Sequence, residues 1–239
     1  MMKENRKTAK RLLLVNWSCF QNEIINLGSS TLFTGVNGTG KTTILDAMSY
    51  LITANTQFNK AADDNGRNVT AYIHGDRKTN GADRYLRPGN VTSYIAMEFY
   101  DPLISDYHVI AVCIESRSES DRAVSQWIIR EKCKLEDFNF SSVENGKLTV
   151  TSRNNLTFKS NPLKSADFLG REKYAKPFVQ TLFSKNNELS SHRFCLQSVC
   201  YQTCFVNFIR CFVAQPLMNP FTIEELYKFP ETFSQFLCA

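Results

Sequence analysis

Long hydrophobic runs are missing from this chain: clean apolar stretches such as Leu12–Val15 and Val109–Ile114 do not exceed six residues, against the roughly 18 residues a membrane helix needs. No membrane insertion is therefore expected. The start, MMKENRKTAKR, is basic but has neither an apolar core nor a small-residue cleavage site, which argues against secretion. Internal repeats, sustained heptads and a collagen-like glycine period are also lacking, which sets aside solenoids, long coiled coils and fibres. Charge of one sign is scarce: 28 Lys and Arg stand against 23 Asp and Glu, a net charge of +5. Most of that excess sits in the first eleven residues, where Lys3, Arg6, Lys7, Lys10 and Arg11 face only Glu4. This basic arm, residues 1–10, is open to two readings, a nucleic-acid contact or a solvated terminus.

Paired cysteine motifs are missing as well. Of eight cysteines, Cys19, Cys113 and Cys133 lie in stretches that read as strands, where a free thiol serves as a small buried hydrophobe. The other five, Cys195, Cys200, Cys204, Cys211 and Cys238, crowd the end of the chain without a CxxC pair. His192 alone does not complete a zinc pattern there, and without a secretory signal a disulfide framework is not expected.

What is present is 239 residues with a hydrophobic fraction of 43%, ample for a buried core. RLLLVNWSCF and EIINL read as strands on either side of a polar turn, and SSTLFTG as a third that ends in glycine. From Lys41 to about Ala54 the apolar residues Ile44, Leu45, Ala47, Met48, Leu51 and Ile52 recur at helical spacing. Residues 55–90 form a long polar insertion punctuated by Asn65-Gly66, Asn80-Gly81 and Pro88-Gly89, and such lengths inside a domain are usually functional. Strands are expected at Ser93–Tyr100, His108–Ser116 and Val124–Leu135, and a tight hairpin at Asn145-Gly146. Residues 165–180 are weakly helical, and Thr222–Glu225 forms a capping box with Phe221 placed to staple onto Leu226.

One motif stands above the rest. Gly35-Val-Asn-Gly-Thr-Gly40-Lys41-Thr42 matches GxxxxGK[ST] in full, after a short apolar strand and at the start of a helix, which is the context that makes the pattern meaningful. Gly35, Gly38 and Gly40 free the backbone to turn successive N–H groups toward phosphate oxygens. The helix adds the positive end of its dipole. Lys41 is expected on the β- and γ-phosphates and the Thr42 hydroxyl on Mg2+, with Thr43 offering a further donor. Asn37 and Thr39 complete the loop, which is expected to bind ATP.

The wording GVNGTGKTTILDAM, preceded by NW..F and two short strands, resembles the heads of the SMC/SbcC/RecN class of ABC-type ATPases. Asp46, four residues after Thr42, meets a trait of that class; by position alone it is an exposed or capping helix acid. FNKAADDNGRNVTAYIHGD and YLRPGNVTSYIAMEFYD are similar to the MukB-like condensins, above all their Wadjet plasmid-defence branch. The similarity runs with decreasing clarity from about Arg11 to Phe194. It implies an α/β fold: an ABC/SMC-type P-loop N-terminal lobe with an antiparallel β-subdomain, over residues 11–160. It further implies a second head as homodimer partner, the C-terminal half of the head, kleisin and winged-helix subunits, DNA as the object acted upon, and a bacterial, cytoplasmic, nucleoid-associated setting.

Such ATPases also use a Walker B strand and a signature motif, neither of which occurs in the 239 residues. HVIAVCIES ends in Glu115 without a preceding Asp and reads as an ordinary strand. The chain therefore resembles the first part of a longer protein. Residues 161–239 form a mixed helical, Cys-rich tail in which acids almost vanish between His192 and Glu224. Either a shifted reading frame or a buried segment leading toward a coiled coil would have that composition.

For DNA the insertion offers Lys60, Arg67, Arg77, Lys78, Arg84 and Arg87 against Asp63, Asp64, Asp76 and Asp83. Solvated loop charge is the alternative; the resemblance favours sequence-independent backbone contacts. Asn16, Trp17 and Phe20 lie where a strand would approach the adenine, with core packing an equal option for the two aromatics. The leading expectation is an ATP-binding half of an SMC-like head; the alternatives are a free-standing P-loop NTPase or kinase, and a non-catalytic nucleotide-binding fragment.

Overall fold

The computed structural model describes residues 7–28, 30–56, 58, 68–77, 84–102 and 104–175. The Cys-rich tail beyond residue 175, with its five cysteines and the capping box at Thr222–Glu225, and Lys60, Arg67 and Lys78 lie outside the described residues.

The chain opens with β1 (Thr8–Trp17) and β2 (Phe20–Asn26), then α1 (Lys41–Thr53) and α2 (Val69–His74). β3 (Val91–Asp101), β4 (Asp106–Ser116) and β5 (Val124–Glu131) follow, then the hairpin β6 (Ser141–Glu144) and β7 (Lys147–Val150). Two-residue strands β8 (Thr157–Phe158), β9 (Asn161–Pro162) and β10 (Leu169–Gly170) precede α3 (Arg171–Ala175). Six strands form one sheet in the order β10-β5-β4-β3-β1-β2, with every adjacent pair antiparallel.

The sequence explains β1's interior place. Leu12, Leu13, Leu14 and Val15 are all buried, so the strand has no solvent face and carries an unbroken apolar run. Leu12, Leu14 and Trp17 point to one core, packed with Ile44, Ala47, Met48 and Leu51 of α1 and Ile73 of α2. Leu13 and Val15 point to the other, where Leu135, Phe138, Phe140 and Leu156 cover the sheet. Helices cover one face and short hairpins the other. The opening strands and the β-rich region are thus one sheet.

Four local expectations change. β1 begins at Thr8, inside the basic arm: Lys7 pairs with Asp101 at 3.0 Å, and Arg11 bridges Glu98 and Glu136. Of SSTLFTG, the described residues 30–35 form no strand. Local β-propensity does not by itself supply a hydrogen-bonding neighbour, and Leu32 and Val36 stay 72% and 76% exposed. Cys19 sits exposed in the β1–β2 turn, whereas Cys113 and Cys133 are buried as expected; burial pushes their thiols up to about 12 and about 11. The insertion is partly ordered by α2, whose first turn is capped by the Asn68 side chain accepting from the Ala71 N–H at 2.7 Å. The Asn145-Gly146 turn forms as read, with φ of 51° and 73° joining β6 to β7.

His108 on β4 is a liability that pH exposes. It is buried, its ring stacks on Phe99 at 5.1 Å, and neither ring nitrogen has a hydrogen-bond partner among the described residues. Burial, with Lys7 nearby and against the pull of Asp101, lowers it to about 4; the cross-strand partner on β5 is Glu131. A histidine held neutral by the fold contributes stability that is full above its unfolded value near 6.5 and is lost as pH falls toward 4. On the order of 2–3 kcal/mol should disappear over that window, since each unit of displacement is worth about 1.4 kcal/mol. His108→Leu should flatten the profile in urea unfolding between pH 7 and 4.5. Parallel profiles for the two proteins would contradict this role.

Candidate nucleotide site

The loop at residues 35–40 leaves the exposed segment after β2 and runs into α1. Gly35, Gly38 and Gly40 have φ of 149°, 86° and 92°. At Gly40, the residue before the helix, the left-handed backbone excludes a side chain for a second reason. A Cβ there would lie 2.9 Å from Phe20 Cζ and 3.3 Å from Cys19 Sγ. The β1–β2 turn is therefore the wall on which the loop rests, and glycine is needed both for its backbone and for its missing bulk.

Thr39 Oγ1 donates to the Val36 carbonyl at 2.9 Å and stiffens the loop. The Lys41 ammonium curls over it, donating to the carbonyls of Gly35 at 2.7 Å and Val36 at 3.0 Å. Thr42 and Thr43 stand in the first turn of α1, and Asn37 and Gly38 lie exposed at the tip. No side chain caps the N-terminus of α1, and no acidic residue stands in its first turn. The first-turn N–H groups and the helix dipole thus present a positive end beside an ammonium and two hydroxyls, which is what a phosphate requires. The donor set fits a nucleotide phosphate chain, with Lys41 as counter-charge and Thr42 Oγ1 as a hard oxygen ligand for Mg2+.

The residues behind the loop hold α1 in place. Trp17 is fully buried, donates its indole N–H to the Thr43 carbonyl at 3.0 Å, and stacks on Tyr72 at 4.5 Å. Phe20 packs partly against the same core, and Asn16 donates its side-chain amide to the Thr92 carbonyl at 2.9 Å. All three residues are engaged within the protein, Trp17 wholly and Asn16 and Phe20 in part. Asp46 is neither exposed nor a cap. It is buried at 5% exposure and accepts from the Tyr72 hydroxyl, tying α1 to α2.

The basic residues of the insertion divide. Arg77 is exposed, and Arg84 pairs with Asp76 at 2.8 Å on the surface. Arg87 turns inward: Nε donates to the Ile73 carbonyl at 2.7 Å and Nη2 to the Ser18 carbonyl at 2.6 Å. Sequence reading missed the roles of Arg87, Tyr72 and Cys19, because the contacts join residues 18 and 87 across 69 positions and no local pattern marks such a pair. HVIAVCIES is the inner strand β4, paired on both edges, and Glu115 lies near Arg153, at 3.8 Å, away from the loop.

A glycine-rich loop that opens a helix, with its lysine and threonine in the first turn, defines a P-loop NTPase-type domain, a class that binds nucleotide with Mg2+. The family model of the P-loop containing region of AAA domain matches residues 9–65, from β1 past the end of α1. None of the curated proteins matches the chain. Among the described residues no helix is long and apolar enough to cross a membrane, and no cluster of His, Cys, Asp and Glu could hold a metal ion unaided.

Proposed function

We propose that this chain is the ATP-binding half of an SMC-like ATPase head that acts on DNA, in plasmid defence or chromosome maintenance of the loop-extruding condensin kind. The observation that carries the nucleotide reading is the approach of Lys41 to the Gly35 and Val36 carbonyls beside the uncapped start of α1. Gly35, Asn37, Gly38, Thr39 and Gly40 supply backbone to the phosphates, Lys41 the counter-charge, Thr42 a ligand for Mg2+ and Thr43 a further donor. Bound Mg2+ would neutralise charge between the β- and γ-phosphates. The SMC-like part of the reading rests on the resemblance of the loop wording and of the flanking segments. It carries with it a second head, a C-terminal half, kleisin and winged-helix partners, and a nucleoid setting. Lys60, Arg67, Arg77, Lys78 and Arg84 are the proposed DNA-backbone contacts; Arg87 is occupied otherwise.

Binding and turnover separate in this reading. The cradle and the lysine contact the phosphates in the ground state, so they favour binding more than rate. Turnover also needs a group that orients the attacking water and one that stabilises the transition state, and on this reading both come from the C-terminal half and a partner head. The purified chain should bind Mg-ATP saturably in calorimetric titration and release phosphate negligibly at high protein concentration. Turnover above roughly 1 per second, within the usual enzyme range, and abolished by Lys41→Ala, would replace this reading with a free-standing P-loop enzyme. Absence of binding heat at millimolar nucleotide would discard both.

A further inference from the structure

We propose that Arg87 is a positioning residue of the nucleotide site, locking the strained β1–β2 turn against Gly40 of the phosphate loop. The inference rests on the nucleotide-binding reading above. Trp17 and Phe20 face each other in register, so the turn between them is only Ser18 and Cys19. Ser18 holds φ of 52° and Asn16, two residues earlier, also 52°. A side-chain-bearing residue in the left-handed region costs on the order of 1 kcal/mol and persists only where its surroundings over-determine it.

Here the surroundings are the end of α2 and Arg87. The Ser18 N–H donates to the Tyr72 carbonyl at 2.7 Å. The Ser18 carbonyl accepts from Arg87 Nη2 at 2.6 Å, while Nε of the same guanidinium reaches the Ile73 carbonyl at 2.7 Å. Both backbone groups of Ser18 are thus held, by α2 and by Arg87, from 50 or more residues away. The next two residues, Cys19 of the turn and Phe20 at the start of β2, are the wall beneath the loop, with Phe20 Cζ and Cys19 Sγ at 2.9 Å and 3.3 Å from where a Gly40 side chain would begin.

A helix C-cap explains only part of this. An arginine that merely satisfied the last carbonyls of α2 would have no reason to reach Ser18. Its planar fork spans the two segments from two separate nitrogens, a fixed geometry that a lysine's single ammonium reproduces only in part. Burial pushes the guanidinium down to about 10, a cost that a purely peripheral cap would avoid by staying in water. Held this way, the turn fixes where Gly40 and the first N–H groups of α1 stand relative to Lys41, and a preorganised cradle binds phosphate without first being ordered.

The test compares Mg-ATP dissociation constants by calorimetry at a temperature where circular dichroism shows each protein folded. Arg87→Met should weaken binding about fivefold to tenfold. Leu156→Ala, in the core on the opposite face of the sheet, should lower the unfolding midpoint yet leave affinity within twofold. Arg87→Lys should recover part of the loss. Phe20→Ala removes the wall from the loop side without touching Arg87, and should also weaken binding about fivefold. If Arg87→Met does not fold, the Phe20→Ala result decides. Affinity within twofold of the native chain in Phe20→Ala, or in folded Arg87→Met, overturns the proposal, as does an equal loss in Leu156→Ala. Lys41→Ala separates the layers: loss there with none in the Arg87 and Phe20 variants keeps the nucleotide reading and discards the clamp, whereas no loss in Lys41→Ala discards the nucleotide reading itself.

Discussion

Replacing Lys41 with alanine is expected to weaken Mg-ATP binding at least tenfold. The side chain heads α1, and its ammonium lies 2.7 Å and 3.0 Å from the carbonyls of Gly35 and Val36. It is therefore already folded over the loop that would receive the phosphates. A hydrogen bond between charged partners contributes roughly 1.5–3 kcal/mol, and 1.4 kcal/mol is about a factor of ten in affinity. Little compensates for the loss: the first turn of α1 carries no other cation, and the helix dipole alone is worth about 1 kcal/mol or less at an exposed site. The fold should not notice the change. Lys41 is half-exposed and its bonds go to loop carbonyls, so the unfolding midpoint should stay within experimental scatter. Calorimetric titration of both proteins with Mg-ATP provides the measurement; equal affinities would remove the loop from the binding site.

The largest effect on stability is expected at Trp17. The indole is fully buried, stacked on Tyr72 at 4.5 Å with Tyr50 and Phe58 each at 6.2 Å, and its N–H holds the Thr43 carbonyl. Trp17→Ala would leave a cavity between α1, α2 and the sheet, at a cost of about 3–5 kcal/mol. Domains of this kind have only about 5–15 kcal/mol in hand, so a substantial fraction of that margin would go. Trp17→Phe keeps much of the volume but drops the N–H, and should cost about 1–2 kcal/mol. In the phenylalanine variant the Thr43 carbonyl loses the indole N–H that ties it to β1, so nucleotide affinity should fall alongside stability. Urea unfolding gives the stability change; a loss under about 1 kcal/mol for Trp17→Ala would mean that the aromatic cluster is not the anchor of α1.

How far the residues themselves foretold this arrangement differs from element to element. The loop and helix at residues 35–53 were legible because their determinants are local: glycines that a left-handed backbone demands, then apolar residues at helical spacing of which all but Leu45 turned to one core. The hairpin at Asn145-Gly146 was legible for the same reason, since two adjacent residues specify it. Strands β3, β4 and β5 were legible as strands, but not their order, and SSTLFTG, also read as a strand, has no place in the sheet over its described residues. Strand propensity states that a segment can pair; it does not name the neighbour.

At the candidate site the division follows the same line. Taken alone, the amino-acid order determined the phosphate loop, the lysine and threonines that serve it, and the absence of any long apolar helix, because each is written within a few consecutive residues. Only the tertiary structure decided that Asp46 is buried on Tyr72, that Trp17 anchors Thr43, and that Arg87 holds Ser18 rather than facing solvent. These contacts join positions 26 to 69 residues apart. Their existence depends on which strands and helices come to lie side by side, and that is settled by the burial of both sheet faces at once, a property of the whole chain that no short segment encodes.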